Sequence, residues 1–204
     1  MVEMIKVVDR ERNMLGVKSR EDVHRDGDWH ETFQCWFIEK VESSYYIYLQ
    51  LRSANKKDFP SMYDITAAGH LLAGETVKDG VREIKEELGI EVQIEDLTFL
   101  DAIINTITLP SFIDNEISLV HLYEVKEPLS FSFDDEEAEA IIRMKLQDFK
   151  DLCYLKLREA SIEVYKDGQF LKGADKITFK QIVPHEFSYI EKVINKIEQY
   201  IMEK

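Results

Sequence analysis

Three glutamates in the segment 76–88 are spaced so that a helix would bring them onto one face. Glu83, Glu86 and Glu87 stand at positions i, i+3 and i+4, which are neighbours on an α-helical surface. A separate narrow stripe of the same helix would carry the apolar residues Val77, Val81, Ile84 and Leu88. The segment therefore predicts a helix with one apolar face for packing and another that concentrates negative charge.

Capping residues mark both ends of this helix. Thr76 is followed three residues later by Asp79, a spacing that resembles a capping box. Gly89 is placed to end the helix as a C-cap. Gly80 inside the helix costs about 1 kcal/mol relative to alanine, so we expect a neighbouring element to pack closely against it.

The acidic face has two interpretations. Carboxylates this close repel one another, and an oxygen-lined cluster suits Mg²⁺ or Mn²⁺, because these hard cations prefer carboxylate and water ligands. A merely solvated helix face is the alternative, since the chain has 40 acidic and 26 basic residues and a net charge of −14. The glutamates alone do not separate a metal site from a solvated surface.

The residues around the glutamates resemble the Nudix box, whose pattern is Gly-x5-Glu-x7-Arg-Glu-U-x-Glu-Glu-x-Gly-U, with U aliphatic. The first half matches at Gly69 and Glu75, and the second half matches at every specified position from Arg82 to Gly89 and Ile90. The sequence departs from the pattern in one place, because six residues rather than seven separate Glu75 from Arg82. The shortening leaves open whether these two side chains make the contact that is usual in the family.

The resemblance to the Nudix family implies a fold, a metal and a reaction. The fold would be α+β (mixed α/β), a mixed β-sheet sandwiched between helices. Mg²⁺ or Mn²⁺ would be bound by Glu83, Glu86 and Glu87, with the carbonyl of Ala68. A metal-activated water would attack a phosphoanhydride, because a bound metal lowers the pKa of water and stabilises the developing charge, and a carboxylate would take the proton.

Segments outside the box resemble the isopentenyl-diphosphate isomerase-like branch of the family. They are residues 28–38, 64–70 and 115–117. The last of them supplies Glu116, a candidate catalytic base or metal ligand, which joins Glu86 and Arg82 as a predicted catalytic residue. The isomerase uses a cysteine just before the box glycine, and this position is Ala68 here. The resemblance therefore favours hydrolysis over isomerisation.

The same branch implies a second metal site made of histidines and glutamates. His30, His70 and Glu116 match members of such a site, and His24 matches loosely. Structural hydrogen bonding is the alternative role for His30 and His70, which we also consider as substrate-binding residues.

Basic residues precede the box on a predicted strand end and loop. Arg52, Lys56 and Lys57 could hold substrate phosphates, and arginine suits bidentate recognition.

The predicted activity is hydrolysis of a nucleoside diphosphate linked to another group, or of a related diphosphate metabolite. One alternative is an isomerase of isoprenoid diphosphates. The other is a non-catalytic nucleotide-binding module, and the intact Glu83, Glu86 and Glu87 argue against this second alternative.

The whole chain, 1–204, is expected to form a single domain. Its core would span about 30–155, preceded by a β-hairpin within 1–29 and followed by an elaboration over 156–204. Polar composition predicts loops at 20–31 and 53–62 and a turn at 110–115. The expected strands are 5–8, 15–17, 32–39, 45–52, 99–109, 116–125, 140–146, 162–165 and 177–179. Helices are expected at 147–154 and 186–202, the latter amphipathic.

Composition limits the partners and the location. The negative net charge argues against nucleic acid as a partner, because phosphate backbones need clustered Lys and Arg. Without an apolar leader or a membrane-length apolar run, we expect a cytoplasmic protein with no membrane partner.

Cys35 is expected to be a buried core thiol, and Tyr154, Tyr165 and Phe170 are expected to pack in the core rather than to bind substrate. The apolar face of the last helix is expected to dock on the chain's own core, with a homodimer contact as the alternative.

Overall fold

Runs of β-branched and aromatic residues form the strands of this chain. The computed structural model describes residues 2–110, 112–133 and 136–204. The strands are β1 (Met4–Val8), β2 (Met14–Ser19), β3 (Trp29–Val41), β4 (Ser44–Arg52), β5 (Tyr63–Asp64), β6 (Ala67–His70), β7 (Thr98–Leu109), β8 (Phe112–Val125), β9 (Ala138–Lys145), β10 (Ala160–Lys166) and β11 (Gln169–Ile177). The helices are α1 (Arg20–Asp26), α2 (Arg82–Leu88), α3 (Leu146–Cys153) and α4 (Phe187–Met202).

Nine of the described strands belong to one mixed sheet. Its order is β11-β10-β9-β4-β3-β8-β7, with β5 paired to β4 and β6 paired to β3. The central pair β3 and β8 runs parallel, and the other pairs are antiparallel. The parallel register sets His30 beside Glu116, so two predicted site residues lie next to each other at one end of the sheet.

Each face of the sheet is covered by helices, as predicted for an α+β sandwich. Alternate residues of β3 face opposite sides. Trp36 and Ile38 pack with buried residues of α3 and α4, whereas Phe33 and Phe37 pack with the apolar residues of α2. The strand alternation therefore places α2 on one face and the C-terminal helix on the other.

The N-terminal hairpin is confirmed by the antiparallel pair β1–β2. The predicted loop 20–31 is wrong, because α1 occupies much of it and β3 begins at Trp29. Ser19 caps the helix by accepting from the backbone of Asp22, and Gly27 ends it with a positive φ of 71°. A seven-residue helix is too short to show a helical period, so its caps are the main local signal.

The helix predicted over 76–88 is shorter than expected. A 3-10 turn, Asp79–Val81, precedes the α-helix, which begins at Arg82. Asp79 accepts from the backbone N–H of Thr76 at 2.8 Å, so the predicted cap closes the turn rather than the α-helix. A Cβ at Gly80 would lie 2.7 Å from the Cβ of Phe33, which confirms the expected close packing, and Gly89 caps the C-terminus.

Two other boundaries differ from the sequence prediction. β8 begins at Phe112, so the connection after β7 is shorter than the predicted turn 110–115, in which Ser111 lies outside the described residues. The predicted strand 177–179 is wrong except at Ile177, because β11 runs from Gln169 to Ile177 and Phe179 begins a 3-10 turn. Both differences arise where pairing with a neighbouring strand, rather than local composition, decides the end of a strand.

The C-terminal helix α4 packs on the chain's own core, as expected. Its apolar stripe is buried against the sheet at Ile190, Val193, Ile194 and Ile197. Among the described residues, no helix is both long enough and apolar enough to cross a membrane.

Candidate active site

An open cavity of about 450 Å³ lies where the acidic helix meets the end of the sheet. Its volume is in the range of small-molecule sites. The lining includes predicted residues from β4, the loop 53–62, β6, α2 and β8: Arg52, Lys56, Lys57, Ala68, Gly69, His70, Arg82, Glu83, Glu87 and Glu116. The structure thus brings most of the predicted site residues to one cavity.

Glu83 lies directly against Gly69 of β6. A Cβ built at Gly69 would overlap the carboxyl group of Glu83, so the glycine makes room for the acid. Burial raises the pKa of Glu83 to about 7, and Glu86 adds to this effect while Arg82 opposes it. The first glycine of the box, Gly69, is therefore explained on steric grounds, because any larger residue would collide with Glu83.

Glu87 is buried beneath the cavity. One of its oxygens, Oε2, accepts from the backbone N–H of Ala68 at 3.0 Å and from the side chain of Gln50 at 3.2 Å. Burial raises the pKa of Glu87 to about 8, with a further contribution from the charge of Glu83. Ala68 contacts the acid through its amide nitrogen, and the predicted role of its carbonyl as a metal ligand stays a prediction.

Arg82 connects the acidic residues of the box. It donates to Glu75 at 2.7 and 3.0 Å, so the one-residue shortening preserves this contact, because the 3-10 turn takes up the difference. The guanidinium also lies 2.6 Å from Glu83 and 2.8 Å from Glu86. Glu86 is not among the residues that line the cavity, and 57% of its side chain is exposed.

Three histidines and an aspartate from four different elements form a second cluster. One ligand atom each of His24, His30, His70 and Asp114 lies within 4.8 Å of the others. His30 Nε2 and Asp114 Oδ1 are buried without a hydrogen-bond partner, although they are 3.3 Å apart. Asp114 takes the place in this group that the sequence predicted for Glu116.

The histidine cluster has the chemistry of a metal site. Burial lowers the pKa of His24 to about 4 and lowers that of His70 well below its usual value. Burial also opposes a charge on His30, but the nearby charge of Asp114 raises its pKa. Uncharged imidazoles and a carboxylate are ligands for Zn²⁺ and similar cations, and metal binding requires deprotonated ligands. The residues present therefore fit a divalent cation.

The NUDIX domain family model matches residues 28–168, more than half of the chain. The chain belongs to the Nudix family. An uncharacterized Nudix hydrolase of Clostridium acetobutylicum is 29% identical over 199 residues, which are 96% of this chain and 97% of that protein. These similarities identify the chain as a Nudix hydrolase, an enzyme acting on diphosphate bonds.

Similarity to the isomerase branch is also present but partial. The isopentenyl-diphosphate isomerase of Photobacterium profundum is 29% identical over 96 residues, which are 47% of this chain and 53% of that protein. The crystal structure of DR0079 from Deinococcus radiodurans superposes with a TM-score of 0.55 at 17% identity, covering 84% of this chain and 93% of that one. The latter similarity shows the Nudix fold alone.

Replacing Gly69 by alanine is expected to lower kcat of the Nudix reaction by roughly 10- to 100-fold, the scale seen when a group that orients a metal ligand is lost. The added methyl group would overlap Glu83 and displace its carboxylate. Steady-state kinetics measure the effect, and Gly16→Ala is the matched control because no atom lies within 4 Å of a Cβ at that position. A Gly69→Ala variant with the kcat of the control would contradict this steric role.

Glu116 lies on β8 at the wall of the Nudix cavity. Its Oε2 accepts from Gln34 and Asn105, each at 3.1 Å, and from the hydroxyl of Ser118 at 3.3 Å. Burial raises the pKa of Glu116 to about 7, and the nearby charge of Asp114 adds to the effect. A carboxyl group with a pKa near neutrality can exchange a proton at physiological pH.

The basic residues predicted to bind phosphate all line the cavity. Arg52 donates to Asp64 at 2.9 Å and to the carbonyl of Asp58, and Lys56 is paired with Glu137. Arg20 of α1 also lines the cavity. Arg20 was not predicted as a site residue, because the segment 20–31 was expected to be a loop rather than to begin with α1.

For several residues of the site, the sequence contains only a weak signal or none. Asp114 is two residues before Glu116, so a strand would place both side chains on one face, and this spacing is a signal that the sequence contains. His185, from the C-terminal segment, has no such local signal, yet it lies 2.8 Å from Asp64. Cys35 is buried as expected.

The aromatic residues of the C-terminal half pack rather than line the cavity, as expected. Tyr165 and Phe170 make edge-to-face contacts with Phe131 and with each other. Tyr154 makes an edge-to-face contact with Phe187 at the start of α4.

Proposed function

We propose that this chain is a divalent-metal-dependent pyrophosphohydrolase that cleaves a phosphoanhydride in a small diphosphate metabolite. A nucleoside diphosphate linked to another group is the proposed substrate class. The observation that carries the proposal is the cavity itself, which combines the acids Glu83 and Glu87 with the basic residues Arg52, Lys56 and Lys57. The carboxylates of Glu83 and Glu87 can bind a divalent metal, and the basic side chains can bind the phosphate groups of a substrate.

The acids of α2 are the proposed ligands of Mg²⁺ or Mn²⁺. Burial raises the pKa values of Glu83 and Glu87, and the charge of a neighbouring glutamate adds to each, Glu86 for Glu83 and Glu83 for Glu87. A cation would offset this repulsion. Glu86 is the third proposed ligand, from the box pattern. The bound metal would supply an activated water and would stabilise the charge of the phosphates.

Glu116 and the basic residues have complementary proposed roles. Glu116 would hold the proton that leaves the attacking water, because its pKa of about 7 matches this task. Arg52, Lys56 and Lys57 would orient the phosphates, and each arginine or lysine offers several donors, so an existing ion pair does not exhaust its capacity. Arg82 would keep Glu75, Glu83 and Glu86 in place.

The histidine cluster supports a second candidate, an isomerase of isoprenoid diphosphates. His24, His30, His70 and Asp114 would hold a second cation, in agreement with the partial similarity to isopentenyl-diphosphate isomerases. The isomerase cysteine is Ala68 here, and Cys35 is buried in the core with a raised pKa caused by burial. The cavity lining among the described residues contains no thiol, which makes hydrolysis the better proposal.

A substrate panel tests the proposal. Release of phosphate and nucleotide would be measured for nucleoside diphosphate sugars, dinucleotides, nucleoside triphosphates and isopentenyl diphosphate, with and without Mg²⁺ or Mn²⁺. Metal-dependent cleavage of one class supports the hydrolase and names its substrate. Isomerisation of isopentenyl diphosphate without hydrolysis of any class would instead support the second candidate.

A binding-only module is the remaining alternative. Tight nucleotide binding with no turnover of any class, in the presence of either metal, would contradict the proposed hydrolysis of these substrates.

A further inference from the structure

The segment that follows the family-matched residues 28–168 reaches the site. Val183 and His185 line the cavity, and Tyr189 in the first turn of α4 is fully buried. Both His185 and Tyr189 hydrogen-bond to side chains that contact Glu116. The C-terminal segment is therefore connected to a proposed catalytic group without touching it.

The first connection runs through Gln34 of β3. The side-chain nitrogen of Gln34 donates to Glu116 Oε2 at 3.1 Å, and its oxygen accepts from the hydroxyl of Tyr189. The same hydroxyl accepts from the indole N–H of Trp36 at 3.2 Å. An amide has a donor end and an acceptor end, so the proton from Tyr189 determines that the donor end faces Glu116.

The second connection runs through Asn105 of β7. Its side-chain nitrogen lies 3.1 Å from Glu116 Oε2 and 3.0 Å from His185 Nδ1, so each of its two hydrogens has an acceptor. Its oxygen accepts from the backbone N–H of Glu186 at 3.3 Å. The orientation of Asn105 is therefore determined from both ends by the C-terminal segment.

Asp64 holds the imidazole of His185 in the required orientation. His185 Nδ1 accepts from Asn105, so Nε2 carries the proton, and it donates to Asp64 Oδ1 at 2.8 Å. Burial alone would raise the pKa of Asp64, but the hydrogen bond from His185 and the charge of Arg52 lower it to about 2. An ionised carboxylate is a strong acceptor, which favours this single arrangement.

We propose that His185 and Tyr189 are positioning residues for the hydrolytic reaction. They orient the amides of Asn105 and Gln34, and the two amides hold Glu116 through one oxygen, Oε2. With Oε2 held from two directions, the carboxylate cannot rotate freely, and the reactive geometry is formed before substrate binds. This inference rests on the role of Glu116 in the proposed function.

The variant Tyr189→Phe tests the inference with little change in volume. Its kcat on the substrate identified by the panel is expected to fall by about 10- to 100-fold, the range for residues that orient a catalytic or ligand group, while KM changes little. Tyr200→Phe is the matched control, because it removes one hydroxyl from the same helix, where Tyr200 bonds to Glu124 at 3.0 Å. The Trp36 indole N–H resonance should move in Tyr189→Phe and not in Tyr200→Phe.

His185 provides an independent variant in case Tyr189→Phe fails to fold. Glutamine at this position has an acceptor for Asn105 and a donor for Asp64, so His185→Gln should keep more of the wild-type kcat than His185→Leu. Equal loss in the two variants would contradict a role that depends on hydrogen bonds.

Combination with Glu116→Gln separates positioning from general stability. If Tyr189 acts through Glu116, adding Tyr189→Phe to Glu116→Gln should lower kcat no further. Losses that multiply would overturn the inference, as would a Tyr189→Phe variant with the kcat of the Tyr200→Phe control. A Glu116→Gln enzyme with wild-type kcat would instead show that the proposed role of Glu116 is wrong.

Discussion

Replacing Glu83 by glutamine is expected to lower kcat for phosphoanhydride hydrolysis by roughly 10²- to 10³-fold, the scale for loss of one preorganised charge-stabilising group. Glu83 lines the cavity, and its side chain is only 12% exposed. Glutamine keeps the shape of the side chain but removes the charge that a divalent cation requires. The rate is measured on the substrate that the panel identifies, with saturating Mg²⁺ or Mn²⁺.

The control for this variant is Glu91→Gln, just after the same helix. Glu91 is largely exposed and is paired with Lys85, so its substitution should leave kcat near the wild-type value. Glu86→Gln tests the third predicted ligand, whose side chain is exposed and bonded to Arg82. If Glu83→Gln and Glu86→Gln both retain full turnover, the metal-site hypothesis for α2 fails.

Removal of divalent metal is expected to abolish hydrolysis and to make the folded protein sensitive to alkaline pH. At about pH 8, a metal concentration of roughly 100 times the Kd should stabilise the protein by about 2.7 kcal/mol. For a chain of this size the change corresponds to a rise in Tm on the order of 5–10 °C. At about pH 5 the effect of the metal should be much smaller.

The sign of this dependence follows from the buried acids. The folded pKa values of Glu83 and Glu87 are about 7 and about 8, above the ordinary value of 4.5, with burial as the largest cause. His24 and His70, whose pKa values are lowered, are uncharged in both states above about pH 6.5. Between about pH 6.5 and 8 the two acids therefore make the folded, metal-free protein bind more protons than the unfolded chain. Its stability must fall as pH rises through this window, because the same acids are already ionised in the unfolded chain.

Thermal unfolding in a chelator and in Mg²⁺ or Mn²⁺, over this pH range, provides the measurement. Glu87→Gln is the informative variant, because it should flatten the pH dependence of the metal-free protein. A Tm of the metal-free wild-type protein that stays constant or rises between about pH 6.5 and 8 would contradict the assignment of protonated acids at Glu83 and Glu87.

Local patterns predicted the elements that carry their own signal. The N-terminal hairpin and α4 were predicted correctly, because alternation and helical periodicity reflect which side chains are buried. α1 was missed, since a seven-residue helix held by Ser19 and Gly27 has too few turns to show a period. The box helix was predicted too long, because a 3-10 turn and an α-helix have similar patterns over so few residues.

The sequence by itself determined the chemistry of the box, namely three acids on one helix with an arginine directly before them. Those residues are close in the chain, so their spacing translates directly into geometry. Only the tertiary structure decided that Glu83 and Glu87 face the cavity while Glu86 faces solvent, because the packing of α2 on the sheet sets its rotation.

The tertiary structure also decided which distant residues complete the site. The parallel register of β3 with β8 brings Asp114 to the histidine cluster, and the docking of α4 brings His185 to Asp64 across 121 residues of chain. Such contacts depend on strand order and helix packing, which arise from burial of the whole apolar surface and have no counterpart in a local pattern.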